Sequence, residues 1–428
     1  MTNKFINIKK RKLIKNIGLG LMTFPFIRGI RADYKPKIVI LGGGFGGGTC
    51  LNTLDEISDK IDLVLIEKNK YYYTCPFSNS VIGGFRSVNQ NRFGYESIQK
   101  RNMKFINKEV SYIDSDKKLI KFSDKESIRY DWLVISPGVD YKWDEIIGYN
   151  QNVNTSIPHG WNGSDALKIY KKVKSLTNNS VILISAPDYP YKCPPAPYER
   201  ASLIAHFLKQ KGLKFKIFIL DNKDSFTKQD LFFNAWKRLY PNSIEWISRK
   251  DGGKVTELDF KNKVLVTEGG QKFKGNFINI IPNQKASNTL LEEDKTSDDW
   301  FEINPKTFEI RGHKFVHAIG DSINAGDMPK SAFSANSQAK VCAENIKNVI
   351  FDKDILDPVF LNTCYSYASP KYAFSISSWY RVNLSNERIT SLGSQQSDLD
   401  QSSYQRNQEV EQSKAWYKAI TTEIFNQN

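Results

Sequence analysis

Residues 37–49 read Lys-Ile-Val-Ile-Leu-Gly-Gly-Gly-Phe-Gly-Gly-Gly-Thr. A short apolar run enters a glycine cluster, and a helix-compatible stretch leads from Thr49 into Leu54, the pattern of strand, tight turn and helix. Inside the cluster, Gly42, Gly44 and Gly47 keep the G-x-G-x-x-G spacing. A second apolar run, Asp62 to Ile66, ends at Glu67, twenty residues beyond Gly47, where a βαβ dinucleotide fold puts the carboxylate that holds a ribose. Glycines let the backbone approach a pyrophosphate, and the helix N-terminus offers unpaired N–H groups and the positive end of its dipole. A glycine turn without a ligand would leave Glu67 unexplained.

Working outward, the chain alternates from Val110 through Ser111-Tyr112-Ile113, turns, returns through Lys118–Phe122, and enters the buried run from Asp131 to Gly138. The same passage recurs at Val255–Asp259, Lys263–Val266 and Asn276–Pro282. This echo implies two related nucleotide-type domains, the second inserted into the first. Ser180–Ser185 and Phe215–Asp221 read as the first two strands of the inserted unit. Phe315–Asp321 is a further strand ending in Gly-Asp, ahead of a helix expected near residues 331–349. Beyond Asp357 the composition shifts to Ser, Tyr and Gln. The fold class expected is α/β: two Rossmann-like domains, one within the other, plus a C-terminal α+β interface domain. The segments are 33–150 and 285–355 for the first domain, 151–284 for the second and 356–428 for the third.

The chain has 428 residues, enough for two or three domains. At 40% apolar and 25% charged it is neither disordered, collagenous nor a multi-span membrane protein. Its formal charge of +15 is uneven. The first 32 residues hold eight basic residues and no acid, leaving 53 basic against 46 acidic in the other 396. A basic start, the apolar stretch Asn16–Ile27 and Ala32 as a small residue read as an export signal over 1–32, too short to span a bilayer, with cleavage after Ala32. Lys10-Arg11-Lys12-Leu13-Ile14-Lys15 resembles a twin-arginine signal with Lys in place of the first Arg. A retained anchor helix is the other reading. Either way the expected location lies outside the cytoplasm, in the periplasm, with no transmembrane span in the mature chain. The diffuse remaining charge, without a basic-aromatic stripe, argues against a nucleic-acid partner.

Cysteines stand at 50, 75, 193, 342 and 364. Cys50 and Cys342 fall on apolar helix faces and read as buried fillers. The other three sit in unusual settings: Tyr72-Tyr73-Thr74-Cys75-Pro76-Phe77-Ser78-Asn79, Cys193-Pro194-Pro195-Ala196-Pro197-Tyr198-Glu199-Arg200-Ala201, and Asn362-Thr363-Cys364-Tyr365. With Pro329–Lys340, these stretches resemble the flavoprotein subunit of flavocytochrome c sulfide dehydrogenase, in the glutathione-reductase-like two-dinucleotide-domain superfamily, over residues 33 to about 395.

The resemblance implies FAD joined covalently to Cys75, and a redox-active disulfide between Cys193 and Cys364 with the acid Glu199 beside it. It also implies that Asp321 meets the flavin ribityl chain, with Gly42, Gly44, Gly47, Glu67, Val110 and Gly138 completing the FAD contacts. The implied reaction is oxidation of sulfide to sulfur or polysulfide. Hydrosulfide opens the disulfide by thiol–disulfide exchange, the flavin takes two electrons, and a separate c-type cytochrome subunit accepts them. Either sulfur can be the one attacked. Taken as residues alone, Cys193 and Cys364 fit a structural disulfide equally, since export permits one. Cys75 on its own fits a core thiol. Glu199, at the start of a helix expected over 198–211, fits a helix-terminus charge as well as a proton carrier.

Three absences sharpen this. The loop from Ser185 to Pro197 has five prolines, and no glycine follows until Gly212, so a second pyrophosphate lacks its turn and no NAD(P) site is expected. No C-x-x-C-H occurs, so this chain is expected to hold no c-type haem. His159, His206, His313 and His317 form no zinc-ligand spacing. The alternative is a sulfide:quinone oxidoreductase, for which 410–428 offers an amphipathic helix with Trp416, Ile420 and Ile424 on one face. A core-packing helix needs no membrane.

Overall fold

The computed structural model describes residues 34–99, 103–287, 291 and 299–425. The expected export signal and its cleavage point after Ala32 lie outside the described residues.

The opening glycine turn belongs to a five-stranded parallel sheet in the order Val316–Ala318, Trp132–Ile135, Lys37–Leu41, Asp62–Ile66, Lys104–Ile106. Its strands are continuous apolar runs, as expected for a parallel sheet buried on both faces. Ile38, Val39, Ile40, Leu63, Val64 and Leu65 are all in the core. Helices Phe45–Asp55 and Ala332–Ile350 pack against each other there. Cys50 and Cys342, both 0% exposed, belong to the apolar core there.

A second parallel sheet orders Ile244–Ile247, Phe215–Asp221, Ser180–Ala186 and Phe277–Ile280. Each parallel sheet is accompanied by a three-stranded antiparallel meander: Val110–Asp114, Leu119–Phe122 and Ser127–Arg129 in one case, Val255–Asp259, Val264–Thr267 and Lys272–Lys274 in the other. The echo reaches the backbone irregularities. The register shifts between Val110 and Tyr112 in the first meander and between Val255 and Glu257 in the second, the same place in each. The chain enters and leaves the inserted unit through Val139–Tyr141 and Gln284–Ala286, which pair antiparallel. The boundary expected after residue 284 thus falls inside a strand.

The C-terminal region is an antiparallel sheet of Val359–Ser369, Tyr372–Asn383 and Arg388–Gln396, followed by helix Ser403–Phe425. The helix starts seven residues earlier than the 410–428 stretch suggested. Its apolar face points inward: Val410, Tyr417, Ile420, Ile424 and Phe425 are buried and Trp416 is half-buried. Phe425 stacks on Phe93 and Tyr72 at 4.7 and 5.6 Å. Asn52 Nδ2 donates to the carbonyls of Glu423 and Ile424. Among the described residues, no helix is long and apolar enough to cross a membrane.

Candidate active site

The glycine turn is built to leave backbone N–H groups uncovered. Gly42 has φ +97°, and a Cβ there would come within 2.3 Å of the Ser136 carbonyl oxygen. A Cβ on Gly47 would lie 1.8 Å from the Gly42 carbonyl oxygen, so no other residue fits either position. Gly44 is the N-cap of helix Phe45–Asp55 and supplies no side-chain cap, which leaves the first N–H groups of the helix to a ligand. Glu67 is fixed at the turn's edge. Its Oε2 accepts from Gly43 N at 3.0 Å, and its Oε1 accepts from Asn69 N and Nδ2 at 2.8 Å.

The inserted domain repeats this arrangement in disarmed form. Asp221 ends strand Phe215–Asp221 as Glu67 follows Asp62–Ile66, but it is 0% exposed. It accepts from Tyr198 Oη at 2.5 Å, Trp246 Nε1 at 2.8 Å and Lys223 Nζ at 2.5 Å. A carboxylate with these three donors is closed to a ribose. In place of the glycine turn, the chain after Ser180–Ala186 runs to Cys193, which holds a left-handed φ of +58°. Helix Ala196–Gln210 follows.

Three distant segments bring their sulfurs together here. Cys75 precedes the short helix Ser78–Ile82, Cys193 precedes Ala196–Gln210, and Cys364 lies on strand Val359–Ser369. The Cys193 thiol hydrogen-bonds Cys75, and this bond, aided by the Lys192 and Arg200 charges and opposed by burial and by Asp321, holds the Cys75 thiol down at about 7. The same bond, then burial, then the negative charges of Cys75, Cys364 and Glu199 push Cys193 well above the usual thiol range. All five cysteines are free. The expected Cys193–Cys364 pair is open in this structure: Cys193 turns its sulfur to Cys75, while Cys364 Sγ lies 3.7 Å from Lys228 Nζ. The backbone of Cys193 is pinned by its N–H donating to the Lys330 carbonyl at 2.8 Å.

Glu199 lies in the first turn of helix Ala196–Gln210, yet its carboxylate does not serve that terminus. Oε2 accepts from Asn79 Nδ2 at 2.7 Å and Oε1 from Tyr367 N at 3.0 Å, joining the segments of Cys75 and Cys364. Burial raises its pKa against the pull of these two bonds and of the Lys228 and Arg200 charges. Asp321 stands in the short turn Gly320–Ser322, and its buried Oδ1 has no hydrogen-bond partner. Such an orphaned acceptor calls for a donor from a ligand. Val110 is buried in the meander. Gly138 has φ +77° with open space where a Cβ would stand.

Sequence reasoning missed the cations. Arg200, 1% exposed, donates from Nε to Asn79 Oδ1 at 3.1 Å, from Nη1 to the His159 carbonyl and Asn279 Oδ1 at 2.6 Å, and from Nη2 to the Gly160 carbonyl at 2.9 Å. Among the described residues no carboxylate lies within 4 Å of it. Burial lowers its pKa to about 10, against the pull of Cys75 and Cys193. Lys192 lies among Cys75, Tyr72, Asp321 and Tyr141, whose charges outweigh burial and keep it protonated. The signal for Arg200 was weak: it stands beside the apolar stretch Ala201-Ser202-Leu203-Ile204-Ala205, but an Arg is rarely fully buried.

Set beside known proteins, the chain matches three family models, two of them parts of one family. Residues 166–282 match the central part of the sulfide dehydrogenase (flavocytochrome c) flavoprotein chain, 356–425 the flavin-binding part of flavocytochrome c sulphide dehydrogenase, and 36–177 pyridine nucleotide-disulphide oxidoreductase. A sulfide dehydrogenase (flavocytochrome c) flavoprotein chain from Chlorobaculum thiosulfatiphilum is 40% identical over 45 residues, 10% of this chain and 94% of that one. The mitochondrial sulfide:quinone oxidoreductase of Dictyostelium discoideum is 24% identical over 327 residues, 73% of this chain and 70% of that protein. The crystal structure of sulfide:quinone oxidoreductase from Aquifex aeolicus superposes with a TM-score of 0.72 at 16% identity, over 92% of this chain and 93% of that one. That likeness fixes the fold: two dinucleotide-type domains and a C-terminal region.

Proposed function

Because the chain belongs to the family of flavocytochrome c sulfide dehydrogenase flavoprotein chains, we propose that it oxidises sulfide to sulfur or polysulfide. In this reading Cys193 and Cys364 are the redox pair, FAD is held covalently through Cys75, and a c-type cytochrome accepts the electrons. The observation that carries it is the meeting of Cys75, Cys193 and Cys364 beside the half-buried Lys192 and the buried Arg200 and Lys228. Cations around sulfur favour thiolate, the form that reacts.

The residues present fit FAD. The Gly42–Gly47 turn and the uncapped helix start suit its pyrophosphate, Glu67 a ribose, and the orphaned Asp321 Oδ1 a hydroxyl of the ribityl chain. When bound, FAD supplies the two-electron sink that no side chain here provides. The protein's own part is sulfur exchange. Hydrosulfide attacks one sulfur of the Cys193–Cys364 disulfide, a persulfide forms on it, and the other cysteine leaves as thiolate. Arg200 and Lys192 stabilise the anions formed near Cys75 and Cys193. Glu199, raised by burial, carries a proton between sulfur and solvent. The sequestered Asp221 and the proline-rich loop support a chain that uses no NAD(P).

The acceptor has a second reading. The named quinone-linked relatives favour a quinone, whereas the inward-facing apolar side of helix Ser403–Phe425 supports the cytochrome. Turnover measured with cytochrome c and with a soluble quinone tests this, and activity with quinone alone overturns the cytochrome reading. Flavin that stays with acid-denatured protein supports attachment at Cys75; flavin that washes free overturns it. The basic, apolar layout of residues 1–32 supports a periplasmic enzyme exported by the twin-arginine route.

A further inference from the structure

Buried lysines in this protein are paired, with informative exceptions. Lys223 donates to Asp221 at 2.5 Å, and Lys347 reaches Glu56 and Glu344 at 2.7 Å each. Lys330 donates to the Ile323 carbonyl and lies 3.5 Å from the centre of the Trp300 ring, with burial lowering it to about 7. Lys228 differs from all of these. It is 5% exposed, and among the described residues no carboxylate oxygen lies within 4 Å of its Nζ. Its ammonium donates to the Cys364 carbonyl at 2.7 Å and stands 3.7 Å from Cys364 Sγ, with the Phe374 ring at 5.8 Å. Its backbone is held in the left-handed region, φ 65° and ψ 29°, at the N-cap of helix Gln229–Leu239. A non-glycine residue keeps that conformation where its surroundings fix it. The result is a rigidly placed buried cation whose nearest anion-forming atom is a sulfur.

Removing a charge from water without a counter-ion is costly, so buried charges are found paired. We propose that Lys228 is the counter-charge for an anionic sulfur on Cys364, and that it draws hydrosulfide to that sulfur. The inference rests on the sulfide reading above. Hydrosulfide sulfur bonds to Cys364 Sγ, the Cys193–Cys364 bond breaks, and its electron pair leaves with Cys193 as thiolate. The new S–H on Cys364 then loses its proton to water, and the persulfide anion that remains is held by the ammonium of Lys228. Cys193, already turned toward Cys75, is thereby the sulfur released on the side of the proposed flavin attachment.

The test uses Lys228→Met, Lys228→Gln and Lys228→Arg in the full holoprotein. After reduction, iodoacetamide labelling at neutral pH is followed by peptide mass spectrometry. Labelling of Cys364 is expected to slow severalfold in the Met and Gln variants, because the reactive thiolate loses the cation beside it. Lys228→Arg should restore most of the rate. Sulfide titration should show KM raised more than kcat is lowered in the uncharged variants, and the trapped persulfide of the unaltered protein should map to Cys364. Unchanged Cys364 labelling in both uncharged variants, checked by melting to be folded, overturns the assignment; so does a persulfide on Cys193. If sulfide leaves the flavin spectrum of the unaltered protein unchanged while Cys364 labelling still depends on Lys228, the sulfide reading fails and the Lys228–Cys364 pairing stands.

Discussion

Replacing Arg200 by Met removes the largest fully buried side chain at the site while keeping an unbranched chain of similar reach. Three acceptors lose their donor, the Gly160 carbonyl, Asn79 Oδ1 and Asn279 Oδ1, and the His159 carbonyl keeps only Asn279 Nδ2 at 3.3 Å. Hydrogen bonds to a charged group contribute about 1.5–3 kcal/mol each. They are not additive, and removing a buried, bonded charge costs about 3–5 kcal/mol in total. Relief of the guanidinium's own desolvation offsets part of this, so about 3 kcal/mol is expected. Unfolding entropy of about 2.1 cal/mol/K per residue means that, for a chain of this size, this lowers Tm by about 4 °C, measured by differential scanning fluorimetry or calorimetry on reduced protein. Arg200→Lys keeps the charge but loses the fork geometry, and should fall between the two. The same loss removes a cation that holds the Cys75 thiol down, so covalent flavin content should fall in Arg200→Met. A variant that melts within about 1 °C of the unaltered protein would refute the view that this guanidinium ties the Cys75 segment to the inserted domain.

Other substitutions separate scaffold from chemistry. Asp321→Ala removes a carboxylate whose Oδ1 has no bond within the protein, so Tm of the flavin-free chain should change by less than about 1 °C while flavin per mole of protein, read from absorbance, falls severalfold. Glu199→Gln keeps an acceptor for Tyr367 and should lower kcat about tenfold or more with near-normal folding. Because the folded-state pKa of Glu199 is raised, its contribution to stability is present below the ordinary carboxylate range and lost as pH rises through the raised value; denaturation midpoints of Glu199→Gln should lack this fall. Gly47→Ala places a Cβ 1.8 Å from the Gly42 carbonyl oxygen and should abolish flavin binding. Gly138→Ala meets nothing within 4 Å and should cost only about 1–2 kcal/mol for its left-handed φ, with flavin retained. Flavin loss in a folded Gly138→Ala would mean that the backbone there reaches the cofactor.

Much of the fold was legible because its signals are local. A glycine turn between a buried strand and a helix, Glu67 twenty residues later, and two meanders with matching alternation are set by sterics and period within short windows. Even the bulge shared by the meanders follows from repeated sequence. The site was legible as a set of residues, since the three cysteine motifs and Asp321 can be named from the chain alone. What each does was not. Glu67 and Asp221 look alike in sequence, each an acid closing an apolar strand. Only folding brings Tyr198, Trp246 and Lys223 onto Asp221 and closes it, because the state of a carboxylate depends on which donors reach it from elsewhere.

The same holds for the sulfurs. Sequence gave five cysteines and their neighbours along the chain, and by itself determined the fold class, the dinucleotide turn and the segments that carry the chemistry. The tertiary structure decided that Cys193 faces Cys75, that Lys228, 136 positions before Cys364, supplies the charge beside it, and that the apolar side of the last helix closes the core. Coulomb and hydrogen-bond energies depend on distances of a few ångströms through a buried medium. Separation along the chain carries no information about those distances until the layers pack.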